Sequence, residues 1–286
     1  MSKIKKDAVP VPPKPLAIQG YEGSFHQVAA RQFFGKQVDI LPCATFTDVI
    51  REAGNSKKTQ GGVMAIENSI AGSILANYNL LQKSNLIVAG EVYLQIDQHL
   101  MVNPGVKLVD IREVHSHPMA LLQCTEYLKR HPWKLIETED TALSAKHVHQ
   151  RKSKHIAAIA GALAAELFGM NIIAPNIHDV KNNYTRFLIL QRHASEITGA
   201  NKASISFHTD HSKGRLAKVL TLIAVHGINL SKLQSFPIAG SRFRYGFHAD
   251  LEFEALDQYE AVTQELKKNT EYLRILGVYK KGKFNS

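Results

Sequence analysis

The chain has 286 residues, 44% of them apolar and 21% charged, a mixture that excludes collagen, coiled coil and whole-chain disorder and exceeds one domain of roughly 100 to 150 residues. Lys and Arg number 35 against 25 acids, a formal +10, yet Lys3, Lys5, Lys6 and Lys14 at one end and Lys280, Lys281 and Lys283 at the other hold most of the excess. A nucleic-acid binder needs basic residues focused on one folded face, so nucleic acid is set aside as a partner while an anionic small molecule fits.

Cys43 and Cys124 make neither a disulfide framework nor a metal-ligand spacing, which points to a cytoplasmic protein. The first 15 residues place prolines where a secretory signal would be apolar and read as a disordered basic arm. Residues 155–170, the longest apolar stretch, are interrupted by Glu166 and fall short of the roughly 20 residues a bilayer needs, so no membrane span is expected.

From residue 16, short apolar runs alternate with helical periods: strand 16–18 and helix 27–34, strand 62–66 and helix 69–82, strand 113–115 and helix 118–129. A helix after Ser144, a strand at 155–159, a helix at 160–167, a short run at 171–173 and a strand at 185–191 complete a two-lobed α/β body over 16–195. Residues 194–202 read as a linker. Beyond it, strand 205–208, a helix carrying Leu216, Val219, Leu220 and Ile223 up to Gly227, strands 228–233 and 245–253, helix 257–268 and strand 273–279 give an α+β unit over 203–280 in βαββαβ order, the ferredoxin-like arrangement.

Three segments put polar residues where a strand ends and a helix begins, a place that favours anions. In Ala65-Ile66-Glu67-Asn68-Ser69 the polar trio reads on residue type first as a simple N-cap, with a ligand site as the alternative. In Ser116-His117-Pro118, Ser116 sits at the expected N-cap and Gln123 lies seven residues on, on the same helical face. The pairs His115 with His117 and His147 with His149 lack the partners a metal would need. In Asn183-Tyr184-Thr185-Arg186-Phe187, Arg186 offers a planar fork for a carboxylate and Thr185 a hydroxyl; the alternative is a buried Arg that holds two lobes together. No dinucleotide fingerprint is present, since the turn Gly20-Tyr21-Glu22-Gly23-Ser24 lacks that spacing.

These strings, in this order, resemble the signatures of the prephenate dehydratase family, and Gly214-Arg215-Leu216 with Gly227-Ile228-Asn229-Leu230 resemble the ACT regulatory domain that follows the catalytic part in that family. The resemblance implies a periplasmic-binding-protein-like pair of lobes that converts prephenate to phenylpyruvate without a cofactor. It places the catalytic threonine on Thr185, with Arg186, Asn68, Ser116, Gln123 and Glu67 around it, and Ser24, Ser69, Phe187 and His26 as substrate-binding neighbours. His26 replaces a Ser of the family pattern and brings an extra titratable group to the cleft.

For the regulatory unit, the resemblance implies phenylalanine as effector, a homo-oligomer (dimer or tetramer), and an allosteric set of Leu216, Asn229, Leu230 and Ser235. Gln234 and Phe236 stand where the family has charged residues. Arogenate dehydratase and a non-catalytic anion or amino-acid sensor are the alternative readings.

Overall fold

The computed structural model describes residues 13–193, 198–238, 240–242 and 244–284. Most of the expected N-terminal arm and part of the expected linker, 194–197, therefore lie outside the described residues.

In chain order the first lobe contains β1 (Leu16–Gln19), α1 (Phe25–Phe34), β2 (Ile40–Cys43), α2 (Phe46–Ala53), β3 (Gly61–Asn68), β4 (Gly72–Ser73), α3 (Leu75–Lys83) and β5 (Ile87–Gln95). The second contains β6 (His99–Val102), β7 (Glu113–Ser116), α4 (Pro118–Gln123), α5 (Thr125–Leu128), β8 (Lys134–Glu137), α6 (Thr141–Gln150), β9 (Ile156–Ala160), α7 (Ala162–Phe168) and β10 (Asn171–Ala174). The chain then re-enters the first lobe as β11 (Tyr184–Gln191), before β12 (Lys202–His208), α8 (Arg215–Val225), β13 (Asn229–Pro237), β14 (Tyr245–Glu252), α9 (Leu256–Asn269) and β15 (Tyr272–Tyr279).

The sheet of the first lobe runs β2-β1-β3-β11-β5, that of the second β10-β6-β9-β7-β8. Two crossings join them, at 96–98 and 175–183, and they clasp each other: Ile96 N–H donates to Asn183 O at 2.8 Å and Ile177 N–H to Gln98 O at 2.9 Å. This is the two-lobed, periplasmic-binding-protein-like arrangement, with a double-stranded hinge. Ser24 caps α1 by accepting from Gln27 N–H (3.4 Å) and Asp140 caps α6 by accepting from Leu143 N–H (2.8 Å).

The lobes touch through the Gly20–Phe25 turn. Gly23 has φ +86°, and a Cβ there would come within 2.8 Å of Ala164 Cα, while Gly161 faces the Phe25 ring. Only glycine combines that backbone angle with so close an approach. The alanines of β9 and α7, including Ala158, Ala160 and Ala164, form a buried small-residue core that lets the second lobe come near.

The third sheet runs β13-β14-β12-β15, the order 2-3-1-4 of a βαββαβ unit. One face, with Ala203, Ile205, Phe207, Ala249 and Leu251, packs on Val219, Ile223, Val262 and Leu266 of α8 and α9. The alternating strand pattern would leave the other face in water. It is instead buried against the first lobe: Lys202, Ser204, Ser206, His248 and Asp250 are each at most 1% exposed. The approach is tight, since a Cβ on Gly277 of β15 would fall 2.0 Å from Val88 O of β5.

Three sequence expectations change. The helix expected at 69–82 begins only at Leu75, because Asn68 Oδ1 accepts from the N–H groups of Ile70 (3.0 Å) and Ala71 (2.9 Å), turning the chain into the β3–β4 hairpin. The helix expected at 118–129 is two, interrupted at Cys124. Strands β2, β5, β6 and β8 and helix α2 were not expected at all. Among the described residues no helix is long and apolar enough to cross a membrane.

Candidate active site

Directly opposite residues of an antiparallel ladder share a face, and neighbours along a strand do not. On β3 and β11 the pairs are Thr185 with Asn68 and Arg186 with Glu67. Each motif is therefore split between two faces of one sheet.

On the face toward α1, Asn68 Nδ2 donates to Thr185 Oγ1 at 3.0 Å, to Asn183 Oδ1 at 2.7 Å and to Tyr184 O at 3.2 Å. The amide cannot flip without losing bonds, because its Oδ1 already accepts two backbone N–H groups. Thr185 thus accepts through its oxygen and keeps its hydroxyl proton to donate. Ser69 ties the same corner, donating to Asn182 O (3.2 Å) and accepting from Tyr184 N–H (2.9 Å).

On the opposite face Arg186 is 4% exposed. Its guanidinium binds Glu91 at 2.7 Å, Asp250 at 2.5 Å and the Tyr279 hydroxyl at 3.2 Å. The expected clamp on a substrate carboxylate is thus corrected: strand alternation turns Arg186 away from Thr185, toward the C-terminal sheet. Burial opposes charge on Arg186, but Asp250 and its other neighbours overcome that and raise its pKa. Asp250 mirrors this: burial pushes the carboxyl up, yet Arg186 and His248 hold it well below the usual range. Glu67 faces the same way and pairs with Lys232 of β13.

Other expected residues are placed as follows. Phe187 is 1% exposed and belongs to the core beneath α1, not to a ligand surface. Ser24 is a buried helix cap. Ser116 is fully buried and donates to Ile159 O at 2.6 Å; the N-cap of α4 is His117, whose Nδ1 accepts from Met119 N–H at 3.2 Å. Gln123 ends α4 half-buried, its carbonyl accepting from Asp179 N–H (2.7 Å) of the returning hinge segment.

His26 is not a titrating cleft group at neutral pH. Its Nε2 accepts from Ala65 N–H (3.3 Å), its ring stands edge-on to Phe187 at 5.0 Å, and burial lowers its pKa to about 3. The unfolded chain therefore binds a proton that the native state refuses. Stability is expected to fall by about 1.4 kcal/mol per pH unit as pH drops below 6.5 toward 3. A His26→Gln variant should lack that component of the acid slope in melts between pH 7 and 4; an identical slope would remove His26 as its source.

Sequence reasoning missed two features. Asp140 faces Gly20 across the lobes, and burial raises its carboxyl pKa. A cavity of about 420 Å³ opens beside the hinge, walled by Phe25, Val28, Leu94 and Leu163 and lined as well by the cations Arg31 and Lys36 and the acids Asp97 and Glu166. Thr185, Asn68 and Ser116 do not line it, but Leu94 pairs directly with Thr185 across β5 and β11, so it adjoins the site. Phe25, Val28 and Gln32 at helical spacing, ahead of Lys36, were the available signal.

Two α/β lobes joined by a double-stranded hinge, with a hydroxyl–amide pair at the hinge end of their shared strands, define a two-lobed small-molecule-binding architecture. The prephenate dehydratase family model matches residues 16–195, and the chain belongs to that family. It is 34% identical over 269 residues to a bifunctional chorismate mutase/prephenate dehydratase of Aquifex aeolicus, covering 93% of this chain and 73% of the relative. It is 35% identical to arogenate dehydratase 2 of Petunia hybrida over 282 residues (92% and 71%).

Among solved structures, the prephenate dehydratase of Arthrobacter aurescens in complex with L-Phe superposes with TM-score 0.81 at 26% identity, covering 93% of this chain and 90% of that one. A protein described as a novel type of quorum quenching acylase superposes with TM-score 0.83 at 31% identity (94% and 98%).

Proposed function

We propose that this chain converts prephenate to phenylpyruvate, and that Thr185 is the hydrogen-bond donor to the departing hydroxyl. The observation that carries the reading is the Asn68–Thr185 bond, which occupies the threonine oxygen and leaves its proton to donate. In the reaction the ring carboxylate leaves as carbon dioxide, its bonding pair enters the ring, and the C4 hydroxyl leaves with the C–O pair as hydroxide that takes a proton from solvent to become water. Aromatisation drives the step, so positioning and one strong donor suffice. A threonine hydroxyl is too weak an acid to deliver a free proton, and it acts by hydrogen bonding as the C–O bond lengthens. Arg31 and Lys36, which line the adjoining cavity together with Asp97 and Glu166, are the cations there that could pair with the substrate's carboxylates.

Arogenate, with an amine in place of the side-chain ketone, would react by the same geometry, and comparing turnover of prephenate and arogenate by the purified chain separates the two. The likeness to an acylase raises acyl-amide hydrolysis as a second reading, favoured by the apolar cavity. Such hydrolysis needs a nucleophile beside a base. Among the described residues the Thr185 hydroxyl contacts an amide and no acid or imidazole, so dehydration is the reading adopted. Failure to form either phenylpyruvate from prephenate or phenylalanine from arogenate would overturn it.

We further infer that the βαββαβ unit is an ACT-type sensor of phenylalanine and that it works in an oligomer of at least two chains. Supporting this, Leu216 lies at the start of α8, and Asn229 and Leu230 lie beyond its end. The nine helical residues that follow Leu216 span about 14 Å within one chain, which favours a site that a second copy completes. A cavity of about 390 Å³ beside Gly214–Leu216 is bounded by Arg244, Tyr245 and Phe247; Ser235 pairs with Phe247 on the neighbouring strand. Phenylalanine should lower the initial rate, and Asn229→Ala should weaken that inhibition about 5- to 150-fold. Phenylalanine titration with light scattering checks both parts; an insensitive wild type or an active monomer would refute them.

A further inference from the structure

We propose that Asp250 and Lys232, both on the C-terminal sheet, are positioning residues for Thr185, so that turnover depends on how that sheet is seated; the inference rests on the dehydratase reading above. Each strand that carries a site residue is gripped by the C-terminal sheet at the very next residue. On β11, Arg186 adjoins Thr185 and is held by Asp250 at 2.5 Å. On β3, Glu67 adjoins Asn68 and is held by Lys232, which also donates to Ser73 Oγ at 2.7 Å. Thr185 with Asn68 and Arg186 with Glu67 are successive cross-strand pairs, so a shift of the gripped pair on one face displaces the hydrogen-bonded pair on the other.

The grip is itself anchored. Asp250 Oδ1 accepts from Ser204 Oγ at 2.5 Å, and the Ser204 and Tyr279 hydroxyls are 2.7 Å apart. Glu91, the second partner of Arg186, is tied at 3.0 Å to Lys202 of β12. The β3–β11 ladder also slips register immediately after Arg186. Such a bulge bends a strand and re-aims its side chains; here it lies on the β3 side alone, since β11 keeps unbroken register with β5 from Tyr184 to Ile189, and it is β3 whose site residues the side-chain ties help to place. A buried ion pair is weak evidence of stabilisation, and the apolar contacts of Leu276 and Tyr279 with the first lobe already hold the two units together. Placement of the strands is what the charges add.

The test uses the full chain and compares Asp250→Asn and Lys232→Met in the wild-type and the Thr185→Ala backgrounds, measuring kcat and KM for prephenate together with thermal melting. Displacements near 1 Å cost about 100-fold in rate. Asp250→Asn is therefore expected to lower kcat about 10- to 100-fold with KM within about twofold, and Lys232→Met to lower it in the same direction by less. In the Thr185→Ala background neither should lower kcat further, because the hydroxyl they position is gone. A purely structural role would lower the melting temperature equally in both backgrounds without this non-additivity.

Equal fold-losses in both backgrounds, or unchanged kcat in folded variants, would overturn the proposal. Should Asp250→Asn fail to fold, Lys232→Met decides alone, since its pair is only partly buried. A wild-type chain that does not turn over prephenate would overturn the dehydratase reading, and this inference with it, before any variant is compared.

Discussion

Thr185→Ala is expected to lower kcat for prephenate about 100- to 1000-fold, the loss typical of one donor aimed at charge that develops only in the transition state. KM should stay close to the wild-type value, because the ground-state hydroxyl is neutral and gains little from the contact. The substitution leaves a small space at a 9% exposed position, and it also removes an acceptor from Asn68. That amide retains Asn183 Oδ1 and Tyr184 O as acceptors and its two bonds to the β3–β4 turn, so the corner keeps its shape. Melting should shift by no more than about 1 kcal/mol in stability, the net worth of a single hydrogen bond. Thr185→Ser, which restores the hydroxyl, should recover most of the rate. A folded Thr185→Ala enzyme with unchanged turnover would remove Thr185 from the mechanism.

The fold was legible where local pattern and tertiary demand agree. The βαββαβ order over the last third could be read because each strand keeps apolar residues toward its own helices. Strand β5 was missed because alternation is broken where both of its faces are covered: Val88, Glu91 and Val92 are all buried, and Glu91 is an acid that composition alone assigns to water. Its burial becomes intelligible only with Arg186 and Lys202 beside it.

The candidate site was half legible. The types of residue at 67–69 and 183–187 announced polar work at a strand's end. A linear string does not say which neighbours share a face until the register with another strand is known, and here the register sends Asn68 and Thr185 one way and Glu67 and Arg186 the other. Ser116 and Phe187 were misread for the same reason: a hydroxyl or ring beside a motif looks like a ligand contact until its partner, Ile159 O or the core under α1, is seen.

Arg186→Met is the second large effect, and it separates the strut from the clamp. The guanidinium neutralises two buried carboxylates, Asp250 and Glu91, whose side chains are fully buried. Glu91 keeps Lys202 at 3.0 Å, but Asp250 is left with only the Ser204 hydroxyl at 2.5 Å and His248 at 3.1 Å. Removing one partner of a buried pair costs about 3–5 kcal/mol because the remaining charge is uncompensated. Arg186→Lys should fall between, since an ammonium keeps the charge but cannot span Glu91, Asp250 and Tyr279 together. Replacing both partners, Arg186→Met with Asp250→Leu, should recover much of the loss, as apolar substitutes for buried pairs often do.

The pH dependence has a definite sign. In the wild type the depressed Asp250 pKa contributes stability that is present above the ordinary carboxylate range and is lost as pH falls through the native value. Without Arg186, the largest of the charges that oppose burial is gone and only His248 and Lys202 still hold the carboxyl down, so the Asp250 pKa rises and acid relieves the variant. The stability gap between wild type and Arg186→Met should therefore be widest near pH 8 and should narrow toward pH 5, as read from denaturant melts at both values. Unchanged melting combined with a raised KM for substrate would place Arg186 in the cleft and contradict its orientation toward the C-terminal sheet.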